Sequence, residues 1–179
     1  MIRDWPGERQ ARELRHWLTF VYLAERVARS EHLDALIVIG SFATVQADEA
    51  GDLDLLIAVS EGRFPEAWDR RTELETRDAL VAWDFRPEPH KPIGTRTFLT
   101  RDMIKVELQL SGPSAAGAVL AEPRHVLIGE ESITKRYAQL EPIPPEVLSE
   151  YAQRIRDEGL VPEVESRYGE LMEAIGRAR

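Results

Sequence analysis

Apolar residues recur along the start of the chain with the three- and four-residue spacing of an amphipathic helix. This spacing predicts one long helix over residues 8–30. A continuous apolar run then predicts a buried strand over residues 34–39. Gly40 and Ser41 end that strand, and a new helix can begin there with Ser41 near its N-cap. Residues 52–59 read as the second strand.

The middle of the chain predicts further strands separated by turns. A weaker helical pattern covers residues 63–79, and strands are predicted over residues 80–86 and 95–100. Alternation is clearest over residues 103–110, where every second residue is apolar. A short strand is expected over residues 125–128.

The order of these elements predicts an α+β domain with α/β-like features, in which helices flank a mixed β-sheet. Pro142, Pro144 and Pro145 mark a boundary near the end of the chain. We therefore predict a main domain over residues 1–141, followed over residues 142–179 by a C-terminal appendage of two short amphipathic helices.

Composition narrows the classes of function. The net charge of −9 argues against general binding to nucleic acid, because a non-specific binder needs a basic surface. The chain has no cysteine, no apolar run of the ~18 residues that span a membrane, and no apolar signal-peptide segment at its start. We therefore expect a cytoplasmic globular protein that does not contact membranes.

Two carboxylates stand at the start of the second predicted strand. Asp52 and Asp54 are two residues apart, so in a strand they project from the same face, about 7 Å apart at Cα. Two crowded carboxylates repel each other, and Mg²⁺ relieves this repulsion because it prefers carboxylate oxygens. The pattern therefore predicts a divalent metal site that can also bind phosphate groups.

The spacing around this pair carries a family resemblance. An apolar strand ending in Gly40-Ser41, ten further residues, and then Asp52-x-Asp54 resembles the signature of the DNA polymerase beta-like nucleotidyltransferase superfamily. That superfamily includes aminoglycoside, streptomycin, lincosamide and minimal nucleotidyltransferases. The resemblance covers residues 34–112 and implies a nucleotidyltransferase core.

The resemblance also implies a third acid on a later strand. Glu107 is the best match because its strand alternates regularly, and Asp84 is the alternative because some minimal members place this acid on an earlier strand. The implied catalytic residues and ligands of two Mg²⁺ ions are Asp52, Asp54 and Glu107. The residues implied to bind the triphosphate are Gly40 and Ser41, with Lys105 as a further source of positive charge.

The expected reaction is transfer of a nucleoside monophosphate from a nucleoside triphosphate, with ATP as the expected donor, and release of pyrophosphate. The acceptor would be a hydroxyl of a small antibiotic-like molecule or of a protein, and homodimerisation is left open. The sequence departs from the family pattern at Gly51, where Ser is common, and over residues 42–46, which lack the usual Arg and Gly. An inactive nucleotide-binding or regulatory module of the same fold is therefore the alternative.

Overall fold

A mixed sheet of six strands organises the residues that this computed structural model describes, which are 2–48, 51–86, 90–113 and 124–129. The strands are β1 (Leu33–Val38), β2 (Leu53–Val59), β3 (Ala79–Phe85), β4 (Ile93–Thr100), β5 (Lys105–Ser111) and β6 (His125–Ile128). Their spatial order is β3-β4-β5-β2-β1-β6. The β2–β5 pair is parallel and the other neighbouring pairs are antiparallel. This confirms the predicted α+β class and the mixed sheet.

The helices are shorter than the sequence predicts. They are α1 (Glu8–Glu13), α2 (Trp17–Arg29), α3 (Gly40–Ala43) and α4 (Phe64–Asp69), followed by a 3₁₀ turn at Arg71–Leu74. None of the helices within the described ranges has the length and apolar character needed to cross a bilayer. The boundary predicted near Pro142 and the helices expected beyond it lie outside the described residues.

The single helix predicted over residues 8–30 is wrong, because the chain turns between α1 and α2. Arg15 has a positive φ of 68°, which ends the helical path. The turn brings His16 into the interior, where its ring packs on Phe42 and its Nε2 lies 3.1 Å from the carbonyl oxygen of Gly51. A buried tertiary contact thus overrides a continuous local periodicity.

Two other local predictions are corrected. The helix predicted over residues 63–79 ends early, because Glu75 is extended and Ala79 already pairs with Thr100 as the first residue of β3. Ile39, not Ser41, is the N-cap of α3, and Ser41 lies inside that short helix. Strand pairing thus takes up residues at the end of the first of these predicted helices and immediately before α3.

The core lies between one face of the sheet and α2. Val106, Leu108 and Leu110 on β5 are fully buried on this face, whereas Lys105, Glu107 and Gln109 on the other face are half-buried. This confirms the alternation predicted for the strand. The members of the core from β2 and α2 are Leu53, Leu55, Ile57, Val59, Phe20, Leu23, Ala24 and Val27.

Strands β1 and β2 are buried on both faces. Ala35, Ile37, Leu56 and Ala58 form a second, smaller apolar cluster on the face opposite the main core. Strands at the centre of a sheet read as continuous apolar runs for this reason. Asp54 is therefore a polar interruption in an otherwise apolar strand.

An ion-pair network joins the β3 edge of the sheet to the 3₁₀ turn. The Arg96 guanidinium on β4 donates to Asp84 on β3, at 2.9 Å, and to Glu75 just after the turn. Arg71 donates to the other oxygen of Asp84 at 2.6 Å. Burial opposes charge on the Asp84 carboxyl, but the hydrogen bonds from Arg71 and Arg96 outweigh it and lower the pKa of Asp84.

We expect Arg96→Ala to lower the free energy of unfolding by about 2 kcal/mol, because it leaves Glu75 and Asp84 short of a charged donor. Urea denaturation measures the change. Arg29→Ala is the matched control, since it removes an exposed helical pair with Glu25 and should cost less than about 0.5 kcal/mol. Equal losses for the two variants would contradict a stabilising role for the network.

Arg15→Gly should raise the free energy of unfolding by about 0.5–1 kcal/mol, because glycine adopts a positive φ without steric cost. Ala28→Gly is the control, because Ala28 is an exposed residue inside α2 and glycine there should cost about 1 kcal/mol. Thermal unfolding followed by circular dichroism would show opposite shifts. A destabilised Arg15→Gly variant would contradict a steric cost of the positive φ at Arg15.

Candidate functional site

The end of β1 approaches β2 closely at Gly40. The Ile39 amide donates to the Asp54 carbonyl at 3.1 Å, which continues the pairing of the two strands. Gly40 has a positive φ of 65°, and a Cβ added there would overlap the Asp54 carboxylate. Glycine is therefore needed at this position both for its backbone conformation and for its lack of a side chain. Half-buried Ser41 follows in α3, beside the strand that carries the carboxylates.

Asp54 and Glu107 are direct partners across the parallel β2–β5 pair. Neighbouring strands lie about 4.8 Å apart, and partners in register project from the same face. Leu53 and Val106, which precede them, are also partners and are buried on the opposite face. The fold thus brings together two acids that are 53 residues apart in the sequence.

Lys105 lies between Asp52 and Glu107. Its Nζ donates to Asp52 Oδ2 at 2.6 Å and lies 2.9 Å from Glu107 Oε1. Burial disfavours the charged ammonium, but the hydrogen bonds to Asp52 and Glu107 outweigh this effect and raise the pKa of Lys105. Lys105 is therefore positively charged at neutral pH. Because its pKa is higher in the folded protein than in the unfolded chain, these hydrogen bonds stabilise the fold at every pH below the usual lysine pKa.

A cavity of about 150 Å³ opens beside the two paired acids. Its lining includes Gly40, Asp54 and Glu107, together with the side chains of Thr95 and Gln109. Thr95 and Gln109 are not among the site residues that the sequence predicts. Alternation places Gln109 on the face of Glu107, but Thr95 is found only through its pairing with Gln109 across β4 and β5.

The structure does not bring Asp84 to this site. Strand β3 is separated from β2 by β4 and β5, so Asp84 lies about three strand spacings, or ~14 Å, from the strand of Asp54. Asp84 also projects from the core face, where its register partner Arg96 and Arg71 bind both of its oxygens. Between the two candidates for a third acid, the geometry therefore favours Glu107.

Four grooves elsewhere among the described residues are larger than this cavity, at about 420–580 Å³. None of them is lined by Asp52, Asp54 or Glu107. Size alone would favour these grooves. Asp54, Glu107 and Gly40 converge only at the smaller cavity, so we assign the candidate site there.

Asp54 and Glu107 are the carboxylates of this cavity that would hold a divalent cation. Within the described ranges, no group of three or more His, Asp or Glu side chains is arranged to hold a metal ion. Asp54 and Glu107 nevertheless line one cavity, and the space that a Cβ at Gly40 would fill lies against the Asp54 carboxylate. Mg²⁺ is commonly held by one or two protein carboxylates together with water and substrate phosphates. Asp54 and Glu107 would supply the carboxylates.

No protein-family model matches the sequence, and no match was found among curated proteins. The Gly40-Ser41 and Asp52-x-Asp54 spacing and the contacts of Asp54, Glu107 and Lys105 are therefore the features that indicate a function.

Proposed function

We propose that this protein is a Mg²⁺-dependent nucleotidyltransferase. It would transfer a nucleoside monophosphate from a nucleoside triphosphate, with ATP as the expected donor, to a hydroxyl group and release pyrophosphate. The observation that carries the proposal is the register of Asp54 and Glu107 beside Gly40. The geometry adds spatial proximity to residues that the sequence pattern had already singled out.

Asp54, Glu107, Gly40 and Ser41 would have distinct roles in this reaction. The bound Mg²⁺ would neutralise the triphosphate and polarise the phosphoryl group. Asp54 and Glu107 would hold the ion, and the backbone at Gly40 and Ser41 would let a phosphate approach closely. The acceptor hydroxyl attacks the α-phosphorus, the bond to the bridging oxygen of the β-phosphate breaks, and the hydroxyl proton passes to a carboxylate of the pair.

Two acceptor classes fit the same chemistry. The net charge of −9 would attract a cationic small molecule. Antibiotic-modifying members of the superfamily that this sequence resembles act on acceptors of this kind. A protein hydroxyl is the other candidate. Labelled ATP would separate the two, because label would move either to a small polycation or to a protein band.

Asp54→Asn and Glu107→Gln should each lower labelled-nucleotide transfer more than about 100-fold, because loss of a direct metal ligand costs more than loss of a supporting contact. Asp84→Asn is the matched control and should keep transfer close to wild type, since Asp84 lies away from the site. Rates are measured per folded protein, with circular dichroism to check each variant. Loss of transfer in Asp84→Asn but not in Glu107→Gln would assign the third acid to Asp84.

Gly40→Ala should abolish Mg²⁺-dependent transfer, because its Cβ displaces the Asp54 carboxylate. Gly62→Ala provides a close control: Gly62 also has a positive φ, of 72°, but nothing lies within 4 Å of an added Cβ. Both variants carry the same kind of backbone cost, of about 1–2 kcal/mol. Equal activity of the two folded variants would show that close approach at Gly40 is unimportant.

An inactive nucleotide-binding module is the second candidate, and the ion pairs of Lys105 favour it. Lys105 already occupies oxygens of Asp52 and Glu107, which leaves fewer ligands for metal ions. Calorimetry with ATP and Mg²⁺ would separate the two functions. Binding without pyrophosphate release across a broad panel of acceptors would support the module and contradict the enzyme.

A further inference from the structure

Lys105 lies where a cation would be expected to neutralise two acids. Its Nζ is within hydrogen-bond distance of both Asp52 Oδ2, at 2.6 Å, and Glu107 Oε1, at 2.9 Å. We propose that the Lys105 ammonium replaces one of two metal ions, so that the site binds a single divalent cation at Asp54 and Glu107. This inference depends on the proposed function, whose family resemblance implies two ions.

The sheet itself fixes this arrangement. Leu53 pairs with Val106 and Asp54 with Glu107, so the same register places Asp52 beside Lys105. On its other side Lys105 pairs with Leu99, which is buried on β4. Lys105 and Glu107 therefore stand on β5, and Asp52 immediately precedes β2, so Lys105 and its two carboxylate partners occupy neighbouring positions on one face of the sheet.

A metal ion and the ammonium would compete for the same oxygens. Mg²⁺ binds carboxylate oxygens at about 2.0–2.1 Å, so an ion shared by Asp52 and Glu107 would overlap Nζ. The Lys105 side chain is only 26% exposed, and the carboxylates that it bridges are about 40% exposed. Displacing the ammonium would leave a partly buried positive charge without its carboxylate partners, which costs free energy. Lys105 contacts one oxygen of Glu107, Oε1. Asp54 is the partner of Glu107 across the strands, so one ion would bind between Asp54 and the second oxygen of Glu107.

The number of bound ions tests this inference directly. Mn²⁺, in the presence of a non-hydrolysable ATP analogue, is titrated against the full chain, and free Mn²⁺ is measured by electron paramagnetic resonance. Wild type should bind one Mn²⁺ per chain. Lys105→Met should bind two, because the oxygens of Asp52 and Glu107 become available, whereas Lys105→Arg should still bind one.

Lys91→Met is the matched control, because Lys91 is an exposed lysine at the start of the segment leading into β4, and it should bind one Mn²⁺. Two Mn²⁺ ions in wild type, or one in folded Lys105→Met, would overturn the inference and leave the proposed function standing. No Mn²⁺ bound by wild type would contradict the proposed function as well.

Asp52→Asn keeps the test decisive even if Lys105→Met fails to fold. With the ammonium in place, Asp52 is not a metal ligand, so Asp52→Asn should change the Mn²⁺ dissociation constant less than about 3-fold, whereas loss of a metal-coordinating group should cost at least about 10–100-fold. Asp54→Asn should weaken binding by at least that larger factor. Equal losses in the two variants would show that Asp52 binds the ion and would overturn the inference.

Discussion

The parallel pairing of β2 with β5 is the constraint on which the candidate site depends. A shift of one residue would move Asp54 and Glu107 to opposite faces, because side chains alternate along a strand. The shift is opposed by the core, since Leu53, Leu55 and Ile57 would leave their buried positions together. Apolar packing on one face therefore sets the position of the acids on the other.

The same pairing controls the electrostatics of the site. Three carboxylates on neighbouring positions would repel one another if no positive charge lay among them. Lys105 lies beside Asp52 and forms ion pairs with Asp52 and Glu107, which reduces this repulsion before any ligand binds. Asp54 keeps its place against Gly40 and next to the cavity. The negative charge of the three carboxylates is thus balanced in part by Lys105 and, in the proposed function, by a bound divalent cation.

A second charged network has a different role. Asp84 and Arg96 stand on β3 and β4, and together with Arg71 and Glu75 they join the sheet edge to the 3₁₀ turn. The contrast shows why an acid on a strand is not enough to identify a catalytic group. Asp84 is fully engaged by guanidinium groups on the core face, whereas Glu107 lines a cavity.

The sequence by itself determined the strands, because apolar periodicity is a property of neighbouring residues. It located β1, β2 and the alternation of β5 closely. The family resemblance supplied Asp54 and left Glu107 and Asp84 as alternatives for the third acid. Tertiary structure decided the break at Arg15, the early end of α4, the cavity position of Thr95 and the Lys105 bridge. Each of these depends on a contact between residues far apart in the chain, such as His16 with Gly51 or Lys105 with Asp52, and local patterns carry no information about such contacts.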